Sequence, residues 1–260
     1  MKEKDITSGI MNSRPETRNR IEVLHPHRSI GFLGRLVRLI RQPGRIPAVI
    51  KRRLLGTPDL IDWNSRVDKL GAYSVIDTRH SAEEYVYVTK RQKEILYPLF
   101  MLQLKGTENT VLDFGCGPGR FTGDLAGMIS GKAIGVDVTD KLIKLAPSHP
   151  DVKYIHSNNY FEEYNYKFDI IWISLVLGGI SDVELERKSH EISNALNPDG
   201  LLFLVESTGD TSAEDVWRVR TRAQLISLFP DVELQSVGNY FDVDQEITIF
   251  AGRKRMQQIN

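Results

Sequence analysis

The residues best placed to do chemistry lie between positions 110 and 137. Val111-Leu112-Asp113-Phe114-Gly115-Cys116-Gly117-Pro118-Gly119-Arg120 runs from an apolar, strand-like stretch into three glycines at alternate positions, then into a helical pattern. Glycine tolerates the backbone of a tight turn and lets a ligand approach the main chain, and a helix start that follows offers free N–H groups. The spacing is G-x-G-x-G, with Arg120 in the slot where the dinucleotide fingerprint keeps a helix-packing glycine. Eighteen residues after Gly119, the apolar run Ala133-Ile134-Gly135-Val136 ends in Asp137. A carboxylate fixed at a strand tip can accept hydrogen bonds from both hydroxyls of a ribose. Loop and acid together predict a nucleoside-bearing ligand.

These residues need a scaffold, and the pattern around them supplies one. Apolar strand-like runs occur at Thr110–Phe114, Lys132–Val136, Lys153–Ile155, Asp169–Ser174 and Leu201–Glu206, with helical patterns such as Arg120–Ile129 and Val183–Leu196 between them. That alternation predicts an α/β fold, a Rossmann-like, doubly wound and mainly parallel sheet covered on both faces. Ser181 with Glu184 makes a capping box for the second of these helices. Two further runs, Val232–Val237 and Glu246–Ala251, are too close together for a helical crossover and predict an antiparallel hairpin, with Gly238, Asn239, Tyr240 and Asp242 as its loop. Upstream, Ser81 and Glu84 predict the capped start of a helix that Pro98 kinks or divides.

Asp-x-Gly-x-Gly-x-Gly, the acidic end of the next strand and a terminal antiparallel hairpin resemble the class I S-adenosylmethionine-dependent methyltransferase family from about Thr110 to Arg253. The resemblance implies S-adenosylmethionine as cofactor. By position it puts Gly115, Gly117 and Gly119 beneath the methionine part, Asp113 near the amino group, Asp137 on the ribose and Val138 against adenine. Asn158 falls where the family often has an aspartate on the adenine amino group, and an amide carbonyl can still accept that bond. Ser174 ends the strand leading to the catalytic face. Many relatives continue there with a pair of histidines, where this chain has Gly178 and Gly179.

Transfer of a methyl group requires alignment of donor and acceptor and exclusion of water, and a hydroxyl acceptor also needs a base. His80, before the first core helix, and His156 and Glu206, near the carboxyl ends of strands, are the catalytic candidates; a helix-end, solvating or structural part explains each as well. Arg218 and Arg222, within Trp217-Arg218-Val219-Arg220-Thr221-Arg222, are the candidates for binding a phosphate or carboxylate on the acceptor. No pair of His or Cys residues has metal-ligand spacing, so no metal is expected, and the single cysteine, Cys116, excludes an internal disulfide.

The 260 residues carry zero formal net charge, but unevenly. From Leu24 to Pro58 there is no acidic residue, while Arg28, Arg35, Arg38, Arg41, Arg45, Lys51, Arg52 and Arg53 are basic. Phe32, Leu33, Leu36, Val37, Leu39 and Ile40 share one helical arc, opposite Arg35, Arg38 and Arg41. The organisation expected is a flexible tail (1–27), a basic amphipathic helical segment (28–55), a helical lid (56–108), the core (109–253) and a short tail (254–260). The basic segment suits an anionic membrane surface, ahead of packing on its own core or on a second subunit, with nucleic acid third because aromatic residues are sparse in it. No apolar signal core or spanning run is present, which predicts a cytoplasmic chain, peripheral at the inner membrane face if the segment binds lipid.

Residues before the core, including Asp62-Trp63-Asn64, Arg66 and His80-Ser81-Ala82-Glu83-Glu84, loosely resemble methyltransferases of bacterial surface-polysaccharide synthesis. That resemblance implies a sugar hydroxyl, a glycan phosphate or a small metabolite as acceptor. Two other readings stand beside it. A non-catalytic methyltransferase-fold subunit would use the basic segment to dock. A nicotinamide-dependent sugar oxidoreductase or epimerase is opposed by the glycine spacing, the hairpin and the lack of Lys four residues after Tyr85 or Tyr87.

Overall fold

A computed structural model describes residues 61–209 and 217–256. The basic segment 28–55 and the tail 1–27 lie outside the described residues. The chain enters with helix α1 (Trp63–Leu70), a 3-10 turn (Gly71–Val75) and helix α2 (Tyr85–Met101). There follow β1 (Thr110–Phe114), α3 (Thr122–Met128), β2 (Lys132–Asp137), α4 (Asp140–Ile143), β3 (Val152–His156), α5 (Tyr160–Glu163) and β4 (Phe168–Ser174). A 3-10 turn (Leu177–Gly179), α6 (Asp182–Ala195), β5 (Leu196–Ser207), α7 (Arg222–Ser227), β6 (Gln235–Asp242) and β7 (Gln245–Arg253) complete it.

The strands form one sheet in the order β3-β2-β1-β4-β5-β7-β6. Pairings from β3 through β5 are parallel, whereas β7 runs antiparallel to β5 and β6 antiparallel to β7. The expected doubly wound sheet and terminal hairpin are therefore present. Strand periodicity divides the core in two. Leu112, Ile171, Ile173, Leu202 and Leu204 join one apolar cluster with Leu185 and Ile192 of α6 and Leu225 of α7. Their sequence neighbours Val111, Ile170, Trp172, Leu201 and Phe203 join the other with Leu96 and Phe100 of α2 and Leu125 of α3. Trp172 stacks on Phe203 at 4.6 Å between ring centres, and Phe100 meets it edge-on at 5.3 Å, favoured geometries for aromatic quadrupoles. Strand segments buried on both faces must be continuously apolar, which is why residues 170–173 of β4 and 201–205 of β5 read as unbroken hydrophobic runs.

Three local expectations need correction. Gly238, Asn239 and Tyr240 are not the hairpin loop but part of β6, and the turn falls at Val243 and Asp244, with Val243 at φ 59°. Tyr240 is buried and pairs with Ile247, and that burial outweighs the turn preference of Gly and Asn. Ser81 does not start α2. Its N–H donates to the Glu84 carboxylate at 2.7 Å in a preceding turn, and the α-helix begins at Tyr85. Pro98 does not divide α2, which continues to Met101 because Leu96 and Phe100 on either side of it are held in the core.

Candidate functional site

The crevice forms where β1, β2 and β4 end. Gly115, Gly117 and Gly119 all have positive φ, 75°, 56° and 75°, a conformation that a Cβ would strain. The loop is fixed from beneath, since Gly115 and Cys116 both donate to the Val136 carbonyl at 2.8 and 3.0 Å. It is closely covered as well. A Cβ on Gly115 would run into the Val176 methyls, one on Gly117 would lie 3.1 Å from Val75, and one on Gly119 would meet the Tyr154 ring and hydroxyl. Val75 comes from the N-terminal extension and Val176 from the turn after β4, so both segments close on the glycine loop.

Asp137 ends β2 beside this loop. One carboxylate oxygen accepts from Gly117 N–H at 2.9 Å and the other from Thr139 N–H at 2.8 Å. Burial raises its pKa and these two N–H groups oppose the rise. Each carboxylate oxygen has a second lone pair, so the acid can accept further bonds. Val138, the next residue, is 50% exposed, a large apolar side chain at the crevice rim. Asp113 lies deeper, buried and accepting from the Thr122 hydroxyl at 2.6 Å; burial pushes it up to about 7.

Structure therefore brings Asp113, Gly115, Gly117, Gly119, Asp137 and Val138 together. Asn158 is exposed in the turn after β3, and Ser174 is half-buried at the tip of β4, paired with Val205. His156 pairs in register with Asp137, is exposed, and places Nε2 3.2 Å from the Val138 carbonyl. His80 has Nε2 2.7 Å from the Asp242 carboxylate at the end of β6. Next to it Arg79 binds Asp77 and Asp244, so residues 77–80 are fastened to the hairpin tip.

Glu206 is 2% exposed, and one of its oxygens accepts from the N–H groups of Val176 and Leu177 at 2.7 and 2.6 Å. Burial pushes it up to about 7, against the pull of those N–H groups and of Arg220. It holds the turn that carries Val176. The same turn is bound from the other side by Arg220, which donates to the Leu177 and Ile180 carbonyls at 2.8 and 2.9 Å and pairs with Asp182. Arg222 pairs with Glu246 and donates to Thr248. Arg218 donates its backbone N–H to Gly178 at 2.8 Å. Val75, Val176 and Tyr154 went unnoticed in the sequence because isolated apolar or aromatic residues carry no positional signal.

Among the described residues no group of His, Cys, Asp and Glu side chains converges to hold a metal ion, and no helix is long and apolar enough to cross a membrane.

Residues 111–200 match the family model described as a methyltransferase domain. Three solved structures share the fold. The N-methyltransferase NodS of Bradyrhizobium japonicum, in complex with S-adenosyl-L-homocysteine, aligns with a TM-score of 0.51 at 20% identity over 64% of this chain and 88% of its own. Human N-acetylserotonin methyltransferase, in complex with SAM, gives 0.54 at 13% over 86% and 70%. Magnesium protoporphyrin IX methyltransferase of Synechocystis, with bound SAH, gives 0.53 at 14% over 73% and 93%. A 126-residue stretch is 31% identical to the N-terminal Xaa-Pro-Lys N-methyltransferase 1 of Xenopus tropicalis, covering 44% of this chain and 56% of that protein. The chain spans about half the length of the curated relatives it matches. The seven-stranded sheet has the fold of these solved structures.

Proposed function

We propose that the chain is an S-adenosylmethionine-dependent methyltransferase. The observation that carries this reading is the pairing of three positive-φ glycines with Asp137 at the next strand tip. That cradle suits a nucleoside sulfonium, and a Cβ at any of the three glycines would be strained and would collide with or crowd its cover. In this reading Asp137 accepts from the ribose hydroxyls, exposed Val138 lies along adenine with Asn158 at its edge, and the glycine loop backs the methionine part. Asp113 orders the loop from below through Thr122, near the amino group, and Ser174 lies at the reacting end. Bound there, the cofactor supplies a methyl group on a positively charged sulfur. This chain's part is to align the acceptor and keep water away, through Val75 and Val176.

For the acceptor we infer an oxygen on a sugar, a glycan phosphate or another small metabolite. Arg218, after β5, supports an anionic acceptor, whereas Arg220 and Arg222 are each paired with an acid. His80, with its ring nitrogen on Asp242, is the better base candidate, because a carboxylate partner orients the ring. Glu206 already has its accepting oxygen on two amides, and His156 is turned to the Val138 carbonyl. We place the enzyme in the cytoplasm, with residues 28–55 on an anionic membrane face; flotation with anionic liposomes should fail when that segment is deleted.

Calorimetric titration with S-adenosylmethionine, S-adenosylhomocysteine and NAD tests the cofactor. Binding of the two sulfur compounds but not NAD is expected, and Asp137→Ala should weaken it roughly 100-fold, about 3 kcal/mol for two bonds to a charged acceptor. Silence towards all three ligands overturns the reading in favour of a non-catalytic subunit.

A further inference from the structure

The turn after β4 has a construction that the cofactor does not require. Gly178 and Gly179 have no side chains; the Trp217 indole takes the space beside Gly178, and Trp217 and Trp63 both lie within contact of Gly179. A Cβ on Gly178 would fall inside the Trp217 ring, and one on Gly179 would lie 3.5 Å from Trp217 and 3.8 Å from Trp63. Trp63 belongs to α1 and Trp217 to the segment before α7, so two distant parts of the chain converge on one diglycine. Both indoles are half-buried. The turn is rigid, held by Glu206 on one side and Arg220 on the other. It also adjoins the crevice, because Val176 at its start covers Gly115.

The arginines beside it are unequal. Arg220 is committed to Asp182 and two carbonyls, and Arg222 to Glu246 and Thr248. Arg218, anchored by its backbone to Gly178, has no carboxylate partner among the described residues, and its Nη1 is buried without an acceptor. A half-buried arginine with an unused donor, directly after Trp217 in the chain and anchored to Gly178, is suited to an anion joined to a ring.

We propose that Trp63, Trp217, Gly178, Gly179 and Arg218 form an acceptor subsite for a small ring-bearing acid, its ring against the indoles and its anionic group on Arg218. The proposal rests on the methyl-transfer reading and narrows it to acceptors of this chemistry, a uronate-like sugar or an aromatic carboxylate. Arg218 and the two tryptophans select the acceptor; they do not act on the reacting atoms.

Tryptophan fluorescence tests this on the full chain. Trp172 is fully buried, so added ligand reports on Trp63 and Trp217. Glucuronate and benzoate are the charged probes, with glucose, phenol and inorganic phosphate as controls, each in the presence of saturating S-adenosylhomocysteine. Quenching by a charged ring is expected to exceed that by its uncharged counterpart, and whichever of glucuronate and benzoate quenches identifies the ring. Arg218→Gln should weaken the charged probe about tenfold or more and leave the neutral one unchanged. Trp217→Phe should remove most of the signal. Arg222→Gln should leave the charged probe's affinity as it was. Calorimetry with S-adenosylhomocysteine on the same samples separates the two ideas: normal cofactor binding with no quench, with quench by phosphate alone, or with full affinity in Arg218→Gln overturns the subsite while methyl transfer stands. Loss of cofactor binding in the unaltered chain overturns methyl transfer itself.

Discussion

Replacing Glu206 by Gln should stabilise the protein above neutral pH and change little below about pH 4. Both N–H groups that Glu206 accepts, from Val176 and Leu177, end on the same carboxylate oxygen. A glutamine carbonyl can take that position, so the turn stays held. What changes is charge. The pKa of Glu206 rises from 4.5 to about 7 because burial penalises its ionised form more than the two amides and Arg220 favour it. A carboxyl whose folded pKa is raised retains its full contribution below the unfolded value and loses it as pH climbs through the folded one. At about 1.4 kcal/mol per pH unit, the interval from 4.5 to about 7 amounts to ~3 kcal/mol, an upper figure. The difference between Glu206→Gln and the parent in urea unfolding should therefore be near zero at about pH 3, grow from about pH 4.5 onward, and approach ~3 kcal/mol in favour of Gln by about pH 8. Asp113, which also titrates near 7, is common to both proteins and cancels. Glu206→Ala, leaving two buried donors without an acceptor, should lose about 2–5 kcal/mol. A Gln variant less stable than the parent at pH 8, or a difference flat with pH, would refute the reasoning.

Other parts of the molecule can be tested as simply. Gly115→Ala should lower Tm and weaken S-adenosylhomocysteine binding in calorimetry, and Val176→Ala in the same chain should restore only the steric part, because the positive φ still costs about 1 kcal/mol. Arg253 donates to the Gln103 and Asp199 carbonyls and pairs with buried Glu108, tying the end of α2 to β7; Arg253→Ala should cost about 3 kcal/mol in urea unfolding. Asp242→Ala removes the partner of His80 and should speed proteolytic cleavage near residues 77–84, with unfolding midpoint nearly unchanged. Equal cleavage rates would show that Arg79 alone fastens this segment.

Much of this architecture was legible because its signals are local. The runs that became β1, β4 and β5 are apolar enough to be buried on both faces, and the glycine-to-Asp137 spacing marks the crevice without any tertiary knowledge. Ser181 caps α6 as its spacing predicts, accepting from Glu184 N–H at 3.3 Å. The hairpin was legible but its turn was not, since Gly238 and Asn239 prefer turns while the burial of Tyr240 against distant partners keeps them in β6.

The chain alone determined that a parallel sheet would present a glycine loop and an acid at adjacent strand tips, because main-chain freedom and two-residue periodicity act between near neighbours. Tertiary structure decided what each remaining polar residue became. Glu206 was a plausible base until its carboxylate met two amides of a turn thirty residues away, and of three similar arginines the fold brought an acid, among the described residues, to Arg220 and to Arg222 but not to Arg218. The Gly178-Gly179 pair acquired meaning only when Trp63 and Trp217 arrived from opposite parts of the chain. Partners so far apart in sequence leave no spacing to read, and packing alone chooses them.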